Sequence, residues 1–165
     1  MRWFFFGSLC DQDVLETVID RPVPASAWRQ ARLHGYRRVR VVDELYPALR
    51  PHPGGRVDGF VVEGLDRHAS NRVCFFEGDE FIPEPRPVEL VDGRRIEALT
   101  FLPGPALEMT EQAWNFHRWQ ARHKPVFLDM AREFMAGFGH ADWAELDARW
   151  RRRQHQVTRE CRWGT

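Results

Sequence analysis

The chain is predicted to adopt an α+β fold, a compact mixed or antiparallel sheet with helices packed on it, and two features of its 165 residues carry that expectation. Up to Pro103-Gly104-Pro105, short β-type runs alternate with Gly and Pro turns. Beyond that tripeptide, apolar residues recur at helical spacing. The composition is that of an ordinary folded protein able to bury a sizeable core: 43% apolar and 29% charged, with seven Trp and twelve Phe.

The elements follow in order. Residues 2–6 form a short buried strand that ends at Gly7. Residues 11–19 form a helix with an early Asp suited to capping. Residues 27–33 and 36–42 are two strands split by His34-Gly35. Pro51 to Gly55 is a turn, and Arg56–Gly64 is the strand after it. Residues 66–76 make a short helix carrying Val73, Phe75 and Phe76 inward. Strands at 86–91 and 94–102 flank Asp92-Gly93, a hairpin dipeptide. A helix of about residues 110–122 carries Trp114 and Trp119. A second amphipathic helix carries Phe127, Met130, Ala131, Phe134 and Phe138 and is ended by Gly137 or Gly139. A third runs from about 141 to 153. The domain expectation is a core over 1–102 and a helical extension over 103–165 packed on it.

Charge and cysteine content narrow the function classes. Basic and acidic residues balance at 24 each, so the overall cationic excess usual in nucleic-acid binders is missing. Cys10, Cys74 and Cys161 are odd in number and contain no CxxC pair, which points away from a disulfide framework and towards a reducing, cytoplasmic compartment. The apolar run Trp3–Phe6 is too short for a signal segment or a membrane span. The seven His form no HExxH or H-x3-H pair, so no metal site is expected, and without G-x-x-x-x-G-K-[ST] or G-x-G-x-x-G there is no nucleotide signature.

Four stretches carry candidate chemistry. Phe4–Leu9 is an apolar strand entering a Gly-Ser turn, where successive backbone N–H groups can form an anion or oxyanion cradle; the plainer reading is an ordinary strand-to-helix turn. Glu77 follows two aromatic residues and precedes a glycine, a setting that desolvates a carboxylate and makes it a base near neutral pH; the alternative is a solvated acidic turn with Asp79 and Glu80. Tyr46-Pro47-Ala48-Leu49 shapes a pocket wall or simply buries a tyrosine. The basic run Trp150–Arg153 suits a solvated helix end, or contact with RNA or an acidic partner. Cys10 reads as a small buried hydrophobe rather than a nucleophile, and the Trp and Phe residues after 110 as core.

The order of these motifs is more specific than any one of them. Phe6-Gly7-Ser8-Leu9, Gly35-Tyr36-Arg37, Tyr46-Pro47-Ala48-Leu49, Pro53–Gly59, Glu63-Gly64-Leu65 and Phe76–Phe81 together resemble the AIG2-like branch of the γ-glutamylcyclotransferase-like superfamily over about residues 3–102. The resemblance implies a small β-barrel flanked by helices. It implies Glu77 as the catalytic acid–base residue, and substrate binding by Phe6, Gly7, Ser8 and Leu9, with Tyr46 and Phe81 at the pocket. The implied reaction is intramolecular acyl transfer within a γ-glutamyl amide, releasing 5-oxoproline and an amine or amino acid with no metal or organic cofactor. Two positions depart from the pattern: Val73-Cys74 stands where many relatives have Leu-Asp, and Phe81 where many have Tyr. The alternative is a catalytically inactive small-molecule or protein-binding module of the same fold. The expected partner is a small γ-glutamyl substrate, with no nucleic acid and no membrane, on a monomer or homodimer.

Overall fold

The structure is a computed structural model that describes residues 1–162, and side chains up to residue 158. Its elements are β1 (Arg2–Phe5), α1 (Gln12–Ile19), β2 (Trp28–Val41), β3 (Pro47–Glu63), α2 (Arg67–Glu77), β4 (Phe81–Leu90), β5 (Arg95–Pro103), β6 (Met109–Ala113), α3 (Phe116–Met135) and α4 (Trp143–Arg162). Short 3-10 turns occupy Ser8–Cys10 and Ala25–Ala27.

The sheet order is β3-β1-β5-β4-β2-β6, and β2 also pairs with β3. Five strands therefore close into a barrel, and β6 is added outside β2. Closure gives each of the five strands a neighbour on both sides, but β2 outruns β4 and leaves an edge segment at its C-terminal end, where β6 pairs. The barrel is mixed because β1 runs parallel to β5 and antiparallel to β3.

β1 shows why the strands are so apolar. Its side chains alternate across the wall: Phe4 and Phe6 join Leu33, Leu49, Val61 and Val88 in one cluster, and Trp3 and Phe5 join helix residues in another. Both faces are covered, so Trp3–Phe6 reads as a continuous apolar run rather than an alternating one. Trp3 also donates its indole N–H to Ser70 Oγ at 3.0 Å, tying α2 to the wall.

Several expected elements are redrawn. The turn at Pro51–Gly55 is absorbed into β3: His34 pairs with Arg56 and Tyr36 with Pro51, so residues 52–55 bulge out opposite Gly35. β2 likewise runs unbroken through His34-Gly35. β4 begins at Phe81 rather than residue 86. Pro83, Pro85 and Pro87 lie at alternate positions, so all three missing N–H groups fall on one edge, and the other edge pairs fully with β5. On the proline edge β4 meets β2 only at Glu89 and Leu90. Residues 110–113 are strand, not helix, because β6 completes its hydrogen bonds against Val39 and Val41 of β2. The helix starts at Phe116, where Asn115 accepts from the N–H of Arg118. The two helices expected over 110–138 are one, α3, which continues through Pro125. Burial of Phe127, Met130, Ala131 and Phe134 offsets the roughly 3 kcal/mol that an interior proline costs. α4 extends nine residues past the expected end at 153, to Arg162.

Asp11 joins local and tertiary structure. It caps α1 by accepting from the N–H groups of Asp13 and Val14, and its other oxygen meets Lys124 at 2.9 Å and Gln120 at 2.8 Å on α3. The residue is buried. Asp11→Ala removes a cap and leaves the Gln120 amide short of an acceptor, while Lys124 keeps Asp13 at 2.6 Å, so urea unfolding should show a loss of about 1–3 kcal/mol. A change under about 0.5 kcal/mol would mean that water replaces the carboxylate.

Candidate active site

Two small cavities meet at Glu77. One, of about 20 Å³, is bounded by Phe6–Leu9, Tyr46, Pro47 and Phe101. The other, of about 40 Å³, reaches from Ser8 and Tyr46 to aromatic residues of α2, α3 and α4. Ser8, Tyr46 and Glu77 line both.

Glu77 is the last residue of α2. The helix stops there because Gly78 turns to φ 67 and donates its N–H to the Cys74 carbonyl. The Glu77 side chain is half-buried, and burial pushes its carboxyl up from 4.5 to about 8, with no ion pair or hydrogen bond from the described residues to oppose it. A position at a helix C-terminus acts in the same direction. The result is a carboxyl whose proton is exchangeable near neutral pH, on a residue that lines both cavities.

The Phe6–Leu9 segment is held from behind. Arg38 Nη1 donates to the Phe6 carbonyl at 2.5 Å, and the Arg38 guanidinium lies over the Trp114 ring. The 3-10 turn closes through Cys10 N–H to Gly7 and Asp11 N–H to Ser8. The amides of Ser8 and Leu9 come first in that turn, which leaves them without an intrahelical acceptor. Gly7 is required sterically: a Cβ there would lie 2.8 Å from Pro47 Cγ. The Cys10 thiol donates to the Phe5 carbonyl, and burial pushes it up to about 12, which keeps it protonated.

Tyr46 donates to Glu80 Oε2 at 3.2 Å, and its ring meets Phe81 edge-on at 5.8 Å. Burial and the neighbouring Glu44 and Glu80 carboxylates push its hydroxyl well above the ordinary tyrosine value. All seven sequence-selected residues thus border the same two cavities: Phe6, Gly7 and Leu9 the smaller, Phe81 the larger, and Ser8, Tyr46 and Glu77 both. At the departing positions, Val73 is core and Cys74 is half-buried beside Glu77.

Sequence reasoning missed the contribution of the C-terminal helices. Phe127 and Phe134 of α3 and Trp143, Asp147 and Trp150 of α4 line the larger cavity. The signal was a repeated spacing of seven, Phe127 to Phe134 and Trp143 to Trp150, which also describes a plain core stripe. The basic run is engaged internally as well. Arg151 bonds to Asp147 at 2.8 Å, Glu80 at 3.0 Å and Glu44 at 3.3 Å, and Arg153 pairs with Glu133. Glu44 is buried and pushed up to about 7 by that burial, against the pull of Gln154 and Arg151. Among the described residues no group of three His, Cys, Asp or Glu side chains is placed to hold a metal, and no helix is long and apolar enough to cross a membrane.

Comparison with known proteins agrees with this architecture. AIG2-like protein D of Arabidopsis thaliana is 30% identical over 137 residues, covering 79% of this chain and 86% of the relative. AIG2-like protein B of the same plant is 28% identical and covers 80% and 76%. A solution structure of an Arabidopsis thaliana protein superposes with a TM-score of 0.59 at 25% identity, covering 86% of this chain and 94% of the other. A structure titled gamma-glutamyl cyclotransferase superposes with a TM-score of 0.53 at 12% identity, covering 90% and 86%, a likeness of fold. The family model described as gamma-glutamyl cyclotransferase, AIG2-like, matches residues 3–121, and the chain belongs to that family.

Proposed function

We propose that the protein is a γ-glutamylcyclotransferase-type enzyme that converts a γ-glutamyl amide into 5-oxoproline and a free amine or amino acid. One observation carries the proposal: an unpartnered carboxyl, Glu77, pushed up to about 8 at the junction of two cavities, one of them bordered by the Phe6–Leu9 turn. In this mechanism the Glu77 carboxylate takes a proton from the substrate α-ammonium. The freed amine attacks the γ-carbonyl carbon, forming the ring C–N bond. Amides at Ser8 and Leu9 stabilise the developing oxyanion. The tetrahedral intermediate collapses by breaking the bond to the leaving nitrogen, which receives the proton held by Glu77; the ring nitrogen sheds its second proton to the departing amine through the same carboxylate, leaving the lactam N–H and an ammonium product. No water is consumed and no cofactor takes part. Because the ring closes within one molecule, holding the substrate folded supplies much of the rate.

The test is incubation with a panel of γ-glutamyl compounds and detection of 5-oxoproline by mass spectrometry, beside Glu77→Gln. Product from wild type that vanishes in the variant supports the reading. A folded wild type silent across the panel, whose Glu77→Gln form still binds a γ-glutamyl compound, supports the binding module instead. The base is needed ionised, so kcat/KM should rise with pH through a midpoint near 8. A flat profile between pH 6 and 9 would rule out Glu77 as that base.

A further inference from the structure

The Phe6–Leu9 turn is backed by a cation that no carboxylate neutralises. The Arg38 side chain is half-buried, and burial pulls its guanidinium below the ordinary arginine value, against the Cys10 thiol and Asp58, which act to raise it. Among the described residues Arg38 forms no ion pair, and Asp58 is exposed and bonded to Arg32 at 2.8 Å instead. The Arg38 Nε is buried and has no hydrogen-bond partner among the described residues. An unpaired buried charge is a poor way to tie two strands together, and an apolar side chain of similar size would serve as well or better. The charge therefore calls for another explanation.

Its contacts show where the charge is directed. Nη1 donates to the Phe6 carbonyl at 2.5 Å, a short, charge-assisted bond. That carbonyl and the Gly7 N–H are two ends of one peptide group. Hydrogen bonds in series polarise one another, so a guanidinium on the oxygen makes the N–H a stronger donor. The Gly7 N–H has no acceptor among the described residues, and Gly7 borders the smaller cavity beside Ser8 and Leu9. Trp114 sets the guanidinium in place. Its ring centroid lies 5.2 Å from Arg38 Cζ, its indole N–H donates to the Leu45 carbonyl at 3.0 Å, and its backbone N–H donates to the Arg38 carbonyl at 3.3 Å. The charge is felt within the turn: burial pushes the Cys10 thiol up, and Arg38 pulls against it. It is not felt at Glu77, where burial is the cause of the rise. Positive charge thus stands behind the amides without weakening the base.

We infer that Arg38 is a positioning residue for the oxyanion: it fixes the Phe6–Gly7 peptide so that the Gly7 N–H joins those of Ser8 and Leu9, and it lends this cradle its charge. The inference rests on the cyclotransferase reading for the identity of the anion, the γ-carbonyl oxygen that turns negative as the amine attacks. The cradle itself belongs to the turn, and it would hold any tetrahedral anion carried at that position. Arg38 borders neither cavity at Glu77, so it acts through the peptide and not by touching the substrate.

The experiment pairs an equilibrium probe with turnover. The phosphonate analogue of glutamate carries a tetrahedral anion in place of the γ-carboxyl, and glutamine carries the same skeleton with a neutral γ-amide. Binding of both is measured by calorimetry on the Glu77→Gln protein, alone and combined with Arg38→Met or Arg38→Lys. Turnover of γ-glutamyl compounds is measured separately with Glu77 intact. The Glu77→Gln parent should bind the phosphonate at least about tenfold more tightly than glutamine. Arg38→Met removes both charge and donor, and should weaken the phosphonate at least about tenfold while glutamine stays within about twofold. Arg38→Lys keeps the charge and should recover most of that loss. In turnover, Arg38→Met should lower kcat by about ten- to a hundredfold, with KM within about twofold and the pH midpoint still near 8. A merely structural role would weaken both ligands alike or move the midpoint, and either result overturns the inference. So does a parent protein without the phosphonate preference, or a folded Arg38→Met protein that keeps it. If Arg38→Met does not fold, Arg38→Gln, which keeps a donor and loses the charge, carries the same comparison; if neither folds, Arg38 is a structural residue and the inference falls. Phosphonate binding that depends on Arg38, without 5-oxoproline from any γ-glutamyl compound, would sink the cyclotransferase reading and leave the Arg38 assignment standing. Turnover that survives Arg38→Met unchanged would do the reverse.

Discussion

Glu77→Gln should produce a protein that is more stable than wild type above neutral pH and at least about a hundredfold less active. The carboxyl stands at about 8 in the folded chain against 4.5 when freely hydrated. A group raised in the folded state favours folding most when protonated, so its contribution is complete below pH 4.5 and is lost as pH rises towards 8. Each pH unit in that window removes at most about 1.4 kcal/mol. Contact of the half-buried carboxylate with cavity water lowers the total, leaving about 2–4 kcal/mol lost by pH 9. Glutamine has nearly the same shape and no charge, so it escapes that loss. The two proteins should unfold alike at pH 4 and diverge steadily up to pH 8. Urea titrations at four pH values decide this. Parallel stabilities across the range would mean that the Glu77 carboxylate is solvated or paired, and the case for a tuned base would fall with it. Opposite signs on activity and stability at one residue are the mark of a group retained for chemistry.

The sequence expressed local rules well and long-range ones poorly. Asp92-Gly93 announces a hairpin, and Gly93 N–H bonds back to Leu90 there. Asp11 announces a helix start because a cap needs only its own neighbours. Pro51–Gly55 carries every mark of a turn, yet β2 pairs on both sides of it and the segment becomes a bulge within one strand. Thr110–Gln112 has no β signature strong enough to oppose a helix; the free edge of β2 decides it, and that edge exists only after the barrel closes. The site divides in the same way. Glu77, Tyr46 and the Phe6–Leu9 turn sit in short motifs that could be read directly. Trp143 and Trp150 reach Glu77 from more than sixty residues away in sequence, through the packing of α4, and nothing in their spacing separates a cavity roof from a core.

The second large effect is expected at Gly78, where the motif and the roof touch. Its backbone lies at φ 67 and ψ −167, a region nearly reserved for glycine, and a Cβ would fall 2.1 Å from Trp143 Cζ2. Gly78→Ala therefore meets two costs together: backbone strain of about 1–3 kcal/mol and overpacking of similar size. A total loss of about 2–5 kcal/mol in urea unfolding is expected, with faster amide exchange in α4 as the Trp143 ring is pushed away. The two costs separate in a double-mutant cycle. In Gly78→Ala/Trp143→Ala the clash is gone and the strain remains, so the Trp143 substitution should cost about 1–3 kcal/mol less in the alanine background than in wild type. Additive effects would show that the ring does not rest on Gly78, and α4 would then lose its claim to roof the site. A coupling of the expected size would mean that the glycine after Glu77 serves two purposes. It ends α2 so that the carboxyl meets the cavity, and it leaves the gap into which the Trp143 ring fits.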